Sequence, residues 1–163
     1  MRLNSSWQNV ALLAALLLTL SVAGKTPAQQ RSAPGTVQTA VKVERLLKET
    51  GLNNKKYGEG IWLVEAQGKN FPVLVAASGD VVVVGVIVVK KGTIAMSQEF
   101  LYKVAKLNHE YDFVKIGLDN EDDLFARSER KVAGLTAADF KETFDQVVNA
   151  TDKVVEQLRG LVK

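Results

Sequence analysis

The chain has 163 residues, 21 Lys and Arg against 18 Asp and Glu, one histidine and no cysteine. That length allows one domain with a core of its own, and the lack of cysteine excludes disulfides and an acylated lipoprotein anchor. The formal net charge is +3 and the pI near 9.1, but the basic residues are scattered among acids or paired as Lys55-Lys56 and Lys90-Lys91, so no basic stripe marks a nucleic-acid partner.

In chain order, the first feature is the uncharged run Val10 to Gly24, preceded by Arg2 and followed by the small residues Ala23, Gly24 and Ala28. It is shorter than the roughly 20 apolar residues a membrane span needs. Its charged start, apolar middle and small-residue end predict a signal peptide over residues 1–28, cleaved after Ala23 or after Ala28. The chain is therefore expected to be exported, periplasmic or secreted, with no stable membrane span once the leader is removed. Losing Arg2 and Lys25 with the leader brings the remainder close to neutral. Residues 29–35 read as a flexible linker, and 36–163 as a single domain.

From Thr36 to Gly51, Ala40, Val43, Leu46 and Leu47 recur at helical spacing opposite Lys42, Arg45 and Glu49, which predicts a first helix. Three β-rich runs follow, Ile61–Ala66, Phe71–Ala77 and Val81–Val89, broken by Gln67-Gly68-Lys69-Asn70 and Ser78-Gly79-Asp80. Turn chemistry at those breaks predicts an antiparallel meander. Ser97 caps a second helix running through Glu110, with Phe100, Val104 and Leu107 on one side. Strands over Phe113–Leu118 and Leu124–Arg130 flank the acidic turn Asp119-Asn120-Glu121-Asp122-Asp123. Thr136 and Asp139 then form an acidic capping box ahead of a long helix that aligns Phe140, Phe144, Val147, Val148, Thr151, Val154, Val155 and Leu158. The expected fold is α+β, in the order α-β-β-β-α-β-β-α, with an antiparallel sheet packed against helices.

Leu107-Asn108, Phe113-Val114-Lys115-Ile116-Gly117-Leu118-Asp119 and Asp123-Leu124-Phe125-Ala126-Arg127 resemble a stretch of the YbjN-domain family, whose fold is similar to that of type III secretion chaperones. The resemblance spans about Val37 to Leu161. It implies a small α+β domain, often a homodimer in the chaperone branch, where secreted partners bind as extended segments along apolar grooves. It brings no catalytic residues with it.

The residues point to a binding surface independently. Asp80 to Lys90 shows no polar alternation, so this strand offers apolar side chains to both sheet faces. If all helices pack on one face, either Val81, Val83 and Ile87 or the set Val82, Val84, Val86 and Val88 faces outward, with Trp62, Leu74 and Phe71 nearby. An outward apolar patch of that size marks a partner surface, whereas helices divided between the faces would bury everything. The candidate partner-binding residues are Trp62, Leu74, Val82, Val84, Val86 and Val88, and the expected partner is a second copy or another protein.

Catalytic constellations find little support. His109, the only histidine, falls on the polar side of the second helix. Ser128-Glu129-Arg130-Lys131 matches S-x-x-K without the companion strings that chemistry requires, and Ser78 lacks the strand-to-helix setting of a nucleophile elbow. Asp119, Glu121 and Asp123 begin like a calcium loop, but Leu124 and Arg130 stand where glycine and a bidentate glutamate belong. No nucleotide-binding string occurs, and Asn149-Ala150-Thr151 is a glycosylation string only in a eukaryotic setting. The expectation is a non-enzymatic protein-binding domain with no cofactor, no metal and no catalytic residue; the alternative is a small apolar ligand-binding module of the cell envelope.

Overall fold

The computed structural model describes residues 34–93 and 95–161. The expected leader and most of the expected linker lie outside the described residues. Three helices and six strands follow in the order α1 (Pro34–Thr50), β1 (Asn54–Gly58), β2 (Ile61–Glu65), β3 (Pro72–Ser78), β4 (Val81–Val89), α2 (Gln98–Glu110), β5 (Lys115–Leu118), β6 (Leu124–Lys131) and α3 (Ala137–Leu158). The strands form one antiparallel sheet ordered β1-β2-β3-β4-β6-β5. This is the expected α+β class, with one strand more than the sequence pattern indicates.

The extra strand is β1, Asn-Lys-Lys-Tyr-Gly, exposed along almost its whole length. It has no apolar alternation to announce it, because it is an edge strand and needs none. Its lysines also discourage pairing with foreign strands. Gly60 makes the β1–β2 turn possible, since its φ is +67° and a Cβ there would sit 3.4 Å from the Ala77 Cβ.

α1 begins at Pro34, two residues ahead of the domain start read from the sequence, with proline at the position where a missing N–H costs nothing. Thr39 Oγ1 donates to Gly79 O at 2.7 Å and Lys42 Nζ to Val132 O at 2.6 Å, which ties the helix to the β3–β4 turn and to the end of β6. α2 starts as expected, with Ser97 Oγ accepting the Phe100 N–H at 3.1 Å. α3 carries the full capping box: Thr136 Oγ1 accepts the Asp139 N–H and Asp139 Oδ2 accepts the Thr136 N–H, each at 3.1 Å.

All three helices pack on the same face of the sheet, α1 against β3, α3 against β4 and β6, and α2 against β5. Between the layers lies a single core in which Val43, Leu46, Leu47, Phe100, Phe140, Phe144, Val147 and Val154 meet the inward side chains of the sheet. Fully burying each of these apolar side chains contributes about 1.5–3 kcal/mol, which fits an architecture held together without cross-links. The opposite face of the sheet carries no described helix.

Candidate protein-binding surface

Strand alternation sorts the sheet residues between two faces. On β2, β3 and β4, Trp62, Val64, Val73, Val75, Val82 and Val84 point to the helices, and Ile61, Leu63, Leu74, Ala76 and Val83 point away. The register sets the second group side by side, with Ile61 opposite Ala76, Leu63 opposite Leu74 and Ala76 opposite Val83. They make a separate apolar cluster to which no helix residue contributes. Cross-strand pairs of this kind stabilise the sheet directly.

The expected set of partner-binding residues is thereby corrected. Trp62, Val82, Val84 and Val86 are 2, 0, 0 and 4 % exposed beneath the helices, and Val88 packs against the same core. Side chains held there cannot meet a partner while the domain is folded. Leu74 alone of the expected six lies on the helix-free face, where it too is only 8 % exposed, and the outward set on β4 is the half-buried Val81, Val83 and Ile87. The sequence left the parity of β4 open because both sets are valine-rich. The decisive signal sits on other strands, where Ser128 and Ala126 of β6 pair with Val84 and Val86 while the charged Glu129 and Arg127 pair with Val83 and Gly85. The face carrying the charges is the one away from the helices.

Gly85 shapes that face. A Cβ at this position would approach the Arg127 Cβ to 3.1 Å, so glycine lets the β4 and β6 backbones carry a long side chain at this pair. The Arg127 guanidinium then lies 4.7 Å from the centre of the Phe125 ring, within reach of a cation–π attraction. The outer face therefore runs from an aliphatic centre on β2, β3 and β4 to a basic and aromatic flank on β6.

The residues weighed for chemistry are not assembled with one another. His109 is exposed on α2, and Ser128 is 2 % exposed in the middle of β6, not at a helix start. The acidic turn is spent on its own geometry. Asp119 Oδ1 accepts the N–H groups of Glu121 and Asp123, both at 2.9 Å, and Asp122 adopts φ 62°. Asp123, 3 % exposed, accepts the Lys91 N–H at 2.7 Å and pairs with Lys90 Nζ at 3.4 Å. Beside it, Lys91 is pulled above the usual lysine range by its hydrogen bond to Asp122. Among the described residues no group of three or more His, Cys, Asp or Glu is placed to hold a metal ion.

The space between the sheet and α3 is filled by core side chains such as Val82, Val84, Phe140 and Phe144. A cleft of about 590 Å³ opens between the end of α1 and α3, over Phe144 and Val148. Its polar rim is already paired: Asn53 donates to Glu65, and Lys141 Nζ holds both Asp145 oxygens at 2.6 and 2.7 Å. Among the described residues no helix is long and apolar enough to cross a membrane.

Comparison with known proteins agrees with this architecture. Several solved structures share the fold, among them the three that follow. YbjN from E. coli superposes with a TM-score of 0.58 at 12% identity, over 74% of this chain and 90% of that one. The Yersinia pestis type III secretion chaperone SycH, solved in complex with a stable fragment of YscM2, gives 0.54 at 16% identity, over 71% and 98%. The heterodimeric complex ExoU-SpcU of the Pseudomonas aeruginosa type III secretion system gives 0.56 at 10% identity, over 71% and 96%. No curated protein sequence matches. The sequence pattern of the YbjN family, described as "Putative bacterial sensory transduction regulator", matches residues 39–160. With three quarters of its length matched in this way and the same arrangement of sheet and helices, the chain belongs to the YbjN family.

Proposed function

We propose that this YbjN-family chain is an exported, non-enzymatic protein-binding domain that self-associates through the helix-free face of its sheet. The observation that carries this reading is the second apolar cluster, Ile61, Leu63, Leu74 and Ala76 with Val83, built on the side of the sheet that the helices leave alone. Its four central side chains are only 7–8 % exposed, so the surface offered to a partner is the half-buried row Val81, Val83 and Ile87 of β4 beside them. The similar folds of SycH and of the ExoU-SpcU pair, both solved as protein complexes, support a binding role over a catalytic one. The uncharged run Val10 to Gly24 supports export.

Light scattering of the full-length chain tests the central element. The unmodified chain is expected to run as a dimer at micromolar concentration, and Val83→Lys as a folded monomer, because an ammonium on each copy's outer face would be desolvated by association. A folded Val83→Lys chain that still dimerises places the contact elsewhere. For the address, expression with the native start followed by cell fractionation and intact-mass measurement should find the protein outside the cytoplasm, beginning at Gly24 or Gln29. Recovery of the uncleaved chain from the cytoplasm refutes export.

A further inference from the structure

We infer that the second half of β6 is a vacant strand slot that takes an extended, acidic segment of a partner protein. The slot arises from unequal strand lengths. β5 pairs with β6 only from Leu118↔Leu124 to Lys115↔Arg127, whereas β4 pairs with β6 on its other side as far as Lys131. β5 begins two residues later than the sequence pattern indicates, because the chain bends through Asp112 and Phe113, which leaves Phe113 56% exposed.

Backbone parity identifies the open groups. Val132 donates its N–H to Asp80 O at 2.9 Å, on the β4 side. In an antiparallel ladder, alternate residues turn both backbone groups to the same neighbour, so Arg130 and Ser128 also face β4, and Glu129 and Lys131 face the opposite edge. An independent bond agrees. Ile116 sends its N–H away from β6 to Asn108 Oδ1 at 3.0 Å, so Lys115 and Gly117 are the β5 residues that turn toward β6, opposite Arg127 and Phe125. Beyond Arg127 no described strand meets the donors and acceptors of Glu129 and Lys131. Such an edge is a template for strand addition.

The walls of the slot indicate what it accepts. A cleft of about 320 Å³ runs along this edge between Phe113 and Lys115 on one side and β6 on the other, and a second of about 320 Å³ continues from Arg130 and Lys131 toward the start of α3. Lys115, Arg127, Arg130 and Lys131 outnumber Asp112 and Glu129 in the first, whereas Asp139 and Glu142 balance Arg130 and Lys131 in the second, so the basic excess lies at the first. Arg127 Nε lies 3.2 Å from Glu129 Oε1, which uses one charge of each sign and leaves the excess positive. The Arg130 guanidinium stacks 4.7 Å from the centre of the exposed Phe113 ring, and its buried Nε has no hydrogen-bond partner. Lys131 shares the outer-face parity of Arg127 and Glu129, whereas Arg130 lies on the other face with Phe113, so a strand with carboxylates at alternate positions would set them beside Lys131, Arg127 and Lys115 and lay its apolar residues on Phe113. A single-stranded nucleic acid could stack on that ring, but it cannot return the regular donor and acceptor row of Glu129 and Lys131.

The slot rests on the protein-binding reading for its class of ligand; it is the open backbone edge of β6, distinct from the aliphatic patch around Val83, although Glu129 and Lys131 project on the same face. The test uses the full-length, isotopically labelled chain and three acetylated hexapeptides: alternating valine and glutamate, alternating valine and lysine, and the glutamate peptide with a central proline. The glutamate peptide is expected to saturate and to slow amide exchange at Glu129 and Lys131 at least tenfold, with the other two at least tenfold weaker. Lys115→Glu combined with Lys131→Glu, both exposed on the face where the carboxylates would lie, should lose the peptide and keep self-association. The slot is overturned by equal binding of the lysine or proline peptide, by glutamate-peptide binding that leaves those two amides unprotected, by no binding at millimolar peptide, or by equally tight binding of an oligothymidylate at the same residues. If these failures occur while Val83→Lys still abolishes dimerisation, the slot alone is wrong. If the peptide protects the two amides in a chain that never dimerises, self-association alone is wrong.

Discussion

Val84 is fully buried and its neighbour Val83 is not, although the two residues are identical and adjacent. A lysine at Val84 would place an ammonium in the apolar core, a cost of several kcal/mol against a total stability of about 5–15 kcal/mol for a domain. Val84→Lys is therefore expected to lose the cooperative thermal transition, while Val83→Lys keeps it; circular dichroism melts of the two variants decide the point, and a cooperative melt for both would contradict the parity assigned to β4. At this scale the sequence was only half legible. The valine run showed that both sheet faces are apolar, but not which set lies under the helices, because valine carries no polar label. The registered partners on β6 supply that label, and their pairing is a long-range fact.

At the scale of elements, α3 was readable nearly residue by residue. Its capping box, its start after Thr136 and its apolar stripe follow local rules, except that Val155, expected on the stripe, is 41 % exposed. Asp139 is held below the usual aspartate range, first by the Thr136 hydroxyl and then by the Thr136 backbone N–H. Because the folded value is the depressed one, this contribution is complete above the ordinary aspartate pKa of about 3.9 and is lost as the pH falls through the folded value. Asp139→Asn should accordingly flatten the acid limb of a stability–pH curve measured by denaturant titration below about pH 4, and an unchanged limb would remove Asp139 from the account. Thr136→Ala should cost about 1 kcal/mol at neutral pH. β1 and the late start of β5 were not legible, for different reasons. β1 pairs through its backbone and buries almost nothing, whereas β5 loses its first expected residues to a bend that local propensity does not encode.

For the molecule as a whole, fold and family were accessible from the pattern of helix, strand, acidic turn and strand, whereas the proposed binding surface required the sheet to be assembled. The same architecture explains why no staple is needed, since one layer of three helices covers one sheet face and supplies the core. It also leaves the second sheet face without a described helix, which is where the proposed association is placed. The absence of cysteine makes the central claim directly measurable, because a single introduced thiol is the only one in the chain. In Val83→Cys, the rate of maleimide labelling should fall steeply as the protein concentration rises from nanomolar to tens of micromolar. In Asn149→Cys, on the exposed side of α3, it should not change. That contrast is the result expected if the helix-free face is where two copies meet; equal, concentration-independent labelling at both positions would contradict it.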